Sequence, residues 1–201
     1  MNTYFIAGDR LLAFNAKCCT SSFARAIIKS HHPDVEEYIQ TKLHLPEGRD
    51  VETEQHHSLV PKRFNPDRPV ALLVREPVSR FKSALSFMHL ENEVDKVLDA
   101  IINEDTQTVL NGVGIPSNAR FPLVANIHLR HQYRLLHDVN EAQLFRMPDQ
   151  IDECAEWLGL ETPLVRINES RFPKPELTED QIDRVKLYYK KDIELWESIN
   201  G

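Results

Sequence analysis

The chain has 201 residues, 41% of them hydrophobic and 27% charged, the balance of a globular protein able to bury a core without disulfides or metals, and one domain over 1–201 is the default expectation. No apolar run approaches the roughly 20 residues of a membrane span, so a membrane protein is not expected. The 31 Asp and Glu outnumber the 24 Lys and Arg to give a net charge of −7, which argues against a nucleic-acid-binding surface and requires any bound anion to meet a local basic cluster.

Residues 1–10 combine neither a basic stretch nor a sustained apolar one, so no secretory signal is expected and the cytoplasm is the expected compartment. Residues 10–16 read as a short buried strand, and 21–29, with Phe23, Ala26, Ile27 and Ile28 on one stripe, as a helix. The stretch 31–69 holds five prolines and five of the nine histidines and reads as mostly irregular, with a short helix at 35–40. A continuous aliphatic run at 70–74 predicts a strand covered on both faces, and Phe81, Ala84, Leu85 and Met88 predict a helix over 79–90. Residues 91–110 read as helical and 111–118, with two of six glycines, as a loop. Helices are expected at 126–136 and 148–158, closing at Gly159, and strands at 142–146 and 163–167. The last helix starts at Thr178, with Gln181 three residues on as in a capping box, and Ile182, Val185, Tyr189, Ile193 and Trp196 form its apolar stripe. Alternating strands and helices predict an α/β fold with a parallel sheet flanked by helices in three layers.

Two segments carry chemistry. In Leu11 to Ile28, an apolar run gives way to Lys17, Cys18, Cys19, Thr20, Ser21 and Ser22 and then to a helix. A strand that ends in a loop and feeds a helix turns amides and the positive helix end toward one point, which favours phosphate or sulfate. Plain helix capping by Thr20 or Ser21 is the competing reading. The loop is not a Walker A motif, because no glycine lies between Gly8 and Gly48. Three cysteines, two of them adjacent, make neither a disulfide framework nor a zinc spacing, and packing is their expected role. In Leu72 to Leu85, Arg75 leaves a buried strand, Pro77 opens a helix, and Arg80 and Ser83 share a face on which both would approach an anion held by Arg75. The alternative is that Arg75 pairs with a carboxylate such as Glu76. Two anion-suited loops after two strands of one sheet belong on the same rim and imply a ligand with two phosphate groups.

The two segments resemble the sulfotransferases that use 3′-phosphoadenosine 5′-phosphosulfate (PAPS). The family's P-K-x-G-T-T/S loop is similar to Ala16-Lys17-Cys18-Cys19-Thr20-Ser21, with alanine for proline and Cys19 for glycine. Its R-[DE]-P-x-x-R-x-x-S motif matches Arg75 to Ser83 at every fixed position. Asn126 to Gln132 is similar to the H-x-x-P-Q element of the carbohydrate-modifying branch, with His131 for proline, and Ile167 to Ser170 and Tyr189 to Trp196 resemble that branch's closing portion.

The resemblance implies a P-loop NTPase-like sulfotransferase fold over 1–201 and transfer of a sulfuryl group from PAPS to a hydroxyl, with a carbohydrate or small metabolite as the expected acceptor. It implies Lys17 at the leaving oxygen, Cys19, Thr20, Ser21 and Ser22 around the 5′-phosphate, and Arg75 and Ser83 on the 3′-phosphate. Arg171, with Lys174 near it, would return over the nucleotide. The general base is expected between the two motifs, where Glu52, Glu54, His56 and His57 lie; His57 is favoured, then His56, since histidine titrates nearest neutral pH. His128 and Arg130 are expected near the acceptor. No metal, nucleic acid or membrane partner is expected. The alternatives are a nucleotide or small-molecule kinase with a divergent phosphate loop and a non-catalytic protein keeping the fold.

Overall fold

The computed structural model describes residues 4–13, 15, 17–31, 68–104, 128–137, 139–164 and 173–199. Four strands form one sheet in the order β1 (Tyr4–Ala7), β2 (Arg10–Ala13), β3 (Val70–Arg75), β4 (Ala142–Met147). The helices are α1 (Thr20–His31), α2 (Pro77–Met88), α3 (Val94–Ile102), α4 (Ile151–Trp157), α5 (Glu179–Tyr188) and α6 (Lys190–Ser198), with a 3-10 turn at Tyr133–Leu136. The architecture is α/β. The described residues divide into two compact units, one from the segments Met1–Phe14, Cys19–Leu73 and Leu135–Asn168, the other from Asn15–Cys18, Val74–Arg134 and Glu169–Gly201.

The first unit contains the sheet hydrogen bonds of β2 with β1 and β3. β2 runs parallel to β3, with Leu11 opposite Val70 and Leu12 opposite Ala71, as an α/β alternation requires. β1, in contrast, is an antiparallel strand absent from the sequence reading, joined to β2 by a hairpin that pairs Ala7 with Arg10. Its two-residue turn places positive φ on Gly8, at +60°, the residue that tolerates it without steric cost. Leu11, Phe23, Ile27, Val70, Leu72 and Cys154 are buried here. α1 packs on β1, and α4 packs on β4; α4 starts at Ile151 rather than 148.

The second unit is built on α2, α3 and α5. Phe81, Leu85, Leu98, Ile101, Leu129, Val185 and Tyr189 form one buried cluster. α2 begins where Pro77 fits the first helical position and the Glu76 carboxylate accepts from the amides of Val78 (2.9 Å) and Ser79 (2.6 Å). It ends at Met88 because His89 turns left-handed, φ +56°, and the amide of Leu90 donates to the carbonyl of Leu85 (3.0 Å), a Schellman closure that leaves both leucines in the core. The expected helix at 91–110 is confined to α3, with 105–110 outside the described residues.

The segment 128–132 is not helical as expected. Its polar groups are taken up from elsewhere: Asp192 accepts from the amides of Gln132 (3.0 Å) and Tyr133 (2.8 Å), the Tyr189 hydroxyl donates to the carbonyl of Leu129 (2.6 Å), and Arg80 donates to that of Arg130 (2.6 Å). The Thr178 capping box is present, but the final helix divides at Tyr189 into α5 and α6. Residues 163–164 are not in a strand; the helix expected at 35–40, the loop at 111–118 and the rest of the strand expected at 163–167 lie outside the described residues.

Candidate functional site

Within the second unit, Arg75 is the last residue of β3 and stands next to the capped start of α2. Its guanidinium donates from Nη1 to the carbonyl of Lys17 (2.9 Å) and from Nε and Nη2 to the Ser79 hydroxyl (3.3 and 3.0 Å). Among the described residues no carboxylate pairs with it. The adjacent Glu76 has both oxygens committed to the amides of α2, so the neighbouring acid does not neutralise Arg75. A guanidinium has five N–H donors, and these contacts leave one on Nη1 and one on Nη2. Donors arranged in a planar fork are chemically able to bind an oxyanion.

Other cations share this neighbourhood. The Lys174 ammonium is held below the ordinary lysine range, first by its own burial and then by the positive charges of Arg75 and Lys82. The Lys17 ammonium lies 4.3 Å from the centroid of the Phe87 ring, a cation–π contact. His128 packs on the same ring, centroid to centroid at 4.7 Å. Phe87 is 43% exposed, so this aromatic group borders solvent.

The structure brings Lys17, Arg75, Ser83 and His128 into one compact unit, with Ser83 buried one helical turn beyond Ser79. Arg130 is half-buried in that unit. Arg80 departs from expectation. It is 1% exposed, donates to the Arg130 carbonyl and lies 6.0 Å from the Tyr189 ring centroid. The spacing of Arg80 and Ser83 fixed the side from which each leaves α2, whereas the long Arg80 side chain ends in the interior.

In the first unit, Cys19 has φ +53°, in the left-handed region where glycine would be unstrained, and Lys17 of the second unit has φ +68°. Thr20 and Ser21 open α1, their side chains lying outside the described set, and Ser22 is buried. Glu52, Glu54, His56, His57 and Arg171 lie outside the described residues.

Several contributors carried no role in the sequence reading. Ser79 and Lys82 fall at variable positions of the arginine-serine motif, and Phe87 lies beyond its end. Gln132 ends the segment similar to the H-x-x-P-Q element, but its partners come from distant parts of the chain. Its amide is held by Asp192, which is fully buried. His131 lies with Nδ1 3.7 Å from an oxygen of the same carboxylate. Burial pushes the Tyr189 hydroxyl well above its ordinary range, so it remains a donor to the Leu129 carbonyl.

Comparison with protein-family models, curated proteins and solved structures found no match for the chain.

Proposed function

We propose that the protein is a PAPS-dependent sulfotransferase that moves a sulfuryl group to an acceptor hydroxyl, of a carbohydrate or a small metabolite, on a P-loop-like sulfotransferase fold. The observation that carries this reading is the Arg75 cluster: an arginine fixed by Ser79 and the Lys17 carbonyl, with two N–H donors to spare, no carboxylate partner among the described residues, and Lys82 and Lys174 near enough to repel. Cations gathered with no acid among the described residues are costly to assemble, and a bound dianion would offset that cost.

In this reading Arg75 and Ser83 hold the 3′-phosphate. Lys17 bears on the oxygen that bridges phosphorus and sulfur, and the loop through Cys19, Thr20, Ser21 and Ser22 holds the 5′-phosphate. Left-handed backbone at both Lys17 and Cys19 suits such a loop, since alternating backbone hands are used to turn amides toward anions. The acceptor oxygen forms a bond to sulfur as the sulfur–oxygen bond to the 5′-phosphate breaks. The acceptor proton passes to a base, and adenosine 3′,5′-bisphosphate leaves. Lys17 contributes by placing positive charge where negative charge develops. His57 is the proposed base, with His56, Glu54 and His128 as the other candidates. His128 and Arg130 are assigned to the acceptor side, and Arg171 and Lys174 to the nucleotide.

The test is thermal stabilisation by adenosine 3′,5′-bisphosphate against ADP, followed by sulfuryl transfer from labelled PAPS to a panel of hydroxyl acceptors. A ligand at 100 times its Kd stabilises the fold by about 2.7 kcal/mol, so the bisphosphate should raise the melting temperature well above the shift given by ADP. Equal shifts refute the two-phosphate reading. Bisphosphate binding without turnover on any acceptor supports a non-catalytic protein, and a magnesium-dependent preference for ATP supports a kinase.

A further inference from the structure

We infer that Gln132 is a positioning residue that sets the separation of the two anion-holding arms, Lys17 on one and Arg75 on the other, by holding both through a single buried carboxamide. The inference rests on the two-phosphate reading above and adds to it the element that measures the distance between the phosphates. Gln132 is fully buried. Its Oε1 accepts from the backbone amide of Arg75 (3.0 Å), from Nδ2 of Asn15 (2.8 Å) and from the Cys18 thiol (3.6 Å), while its Nε2 donates to the Arg75 carbonyl (2.7 Å).

The orientation of this carboxamide is dictated by its partners, because the Arg75 amide can only donate and the Arg75 carbonyl can only accept. It therefore pairs with Arg75 as a neighbouring strand would, at the point where β3 ends. Asn15 and Cys18 flank Lys17, so the same carboxamide also holds the Lys17 arm at both ends. The donation from Arg75 Nη1 to the Lys17 carbonyl joins the arms again, 2.9 Å long, from the opposite direction. Gln132 is itself fixed, since its amide and that of Tyr133 donate to the buried Asp192 carboxylate. Glutamate would lack the donor to the Arg75 carbonyl, and asparagine would be a methylene short.

A ligand with two phosphates gains from binding both at once only when the two sites are held at its own spacing. The experiment is isothermal titration of adenosine 3′,5′-bisphosphate, 5′-AMP and 3′-AMP against the full chain, as wild type, Gln132→Met and Asn15→Ala. The advantage of the bisphosphate over the better monophosphate should fall by about tenfold or more in Gln132→Met, within the usual range for coupled sites, while each monophosphate stays within about threefold. Asn15→Ala releases only the Lys17 arm and should show a smaller loss of the same kind; it decides the matter should Gln132→Met fail to fold. An unchanged bisphosphate advantage in a folded variant overturns the inference. So does an equal loss for all three ligands, which marks general damage rather than lost spacing. A wild type that binds the bisphosphate no better than AMP refutes the two-phosphate reading itself, and the ruler with it.

Discussion

Replacing Arg75 by alanine removes the fork on which the proposed function depends. Of the five N–H donors of the guanidinium, three are engaged with Ser79 and the Lys17 carbonyl, and the two left over would each form a charge-assisted bond to the 3′-phosphate. Such bonds contribute about 1.5–3 kcal/mol each when desolvated. Arg75 is only partly buried, so the lower value applies to both. The loss is then about 3 kcal/mol, or roughly 150-fold in Kd. The assay is calorimetric titration of Arg75→Ala with adenosine 3′,5′-bisphosphate and, separately, with 5′-AMP. The bisphosphate should weaken by roughly two orders of magnitude, with 5′-AMP within about threefold of wild type because it has no 3′-phosphate. Arg75→Lys keeps the charge but loses the planar fork, and should recover only part of the affinity. The reasoning is refuted by a bisphosphate Kd that does not move, or by an equal loss for 5′-AMP.

Lys174 should make bisphosphate binding depend on pH. Its pKa lies below the ordinary 10.5 through burial and repulsion from Arg75 and Lys82, and an anion placed among these cations raises it, so binding takes up protons. Affinity should therefore fall as pH rises through the depressed pKa, and calorimetry in two buffers of different ionisation enthalpy should detect the proton uptake. For the unliganded fold the sign is opposite: the repulsion is present in full below the depressed pKa and is relieved as pH rises from there toward 10.5. Lys174→Met should abolish the uptake, and an unaltered proton count in that variant refutes the assignment. Arg80→Ala should act on stability rather than on the ligand. It removes an interior side chain and the donor to the Arg130 carbonyl, costing about 3 kcal/mol, or a melting-temperature fall of roughly 6–12 °C. The ratio of bisphosphate to 5′-AMP affinity should stay within about threefold of wild type; a collapse like that in Arg75→Ala would place Arg80 at the anion.

The parts of the fold that were legible in the sequence are those whose causes are local. The aliphatic run of β3, Pro77 at the start of α2 and the Thr178 capping box each depend on a few adjacent residues, and each is present in the structure. The parts that were not legible have distant causes. The stretch at 126–136 has helical spacing, but carboxylate, hydroxyl and guanidinium groups from α2 and from Tyr189 and Asp192 satisfy its backbone along 129–133, so the helix is not needed to pair those groups. β1 is four residues long and contains no turn residue of its own; the Gly8-Asp9 turn that makes it a strand follows it. At the candidate site, the arginine-serine motif marked Arg75 as a candidate anion ligand. It gave the wrong end point for Arg80, because spacing along a helix does not determine where a long side chain finishes. The H-x-x-P-Q resemblance marked Gln132 but not what it does, since its partners lie at Asn15, Cys18, Arg75 and Asp192.

Two arginines of the second unit differ in how their charge is met, and the difference supports the proposed anion site. Arg184 on α5 does what a stabilising arginine does, joining Asp95 (2.9 Å) and Asp99 (2.5 Å) of α3 in a network to which Gln181 adds a further bond. Acids are plentiful in a chain with 31 of them, and one stands next to Arg75 in sequence. Yet Glu76 is turned away to cap α2, and the groups that fix Arg75 are a hydroxyl and a carbonyl, which orient a guanidinium without neutralising it. Lys174 and Lys82 then add charge of the same sign, and the Lys174 pKa is lowered first by desolvation and then by Arg75 and Lys82. Among the described residues, Arg75 is thus oriented without being neutralised. That arrangement is what the proposed function requires, since an anion bound beside Arg75, Lys82 and Lys174 would relieve their mutual repulsion.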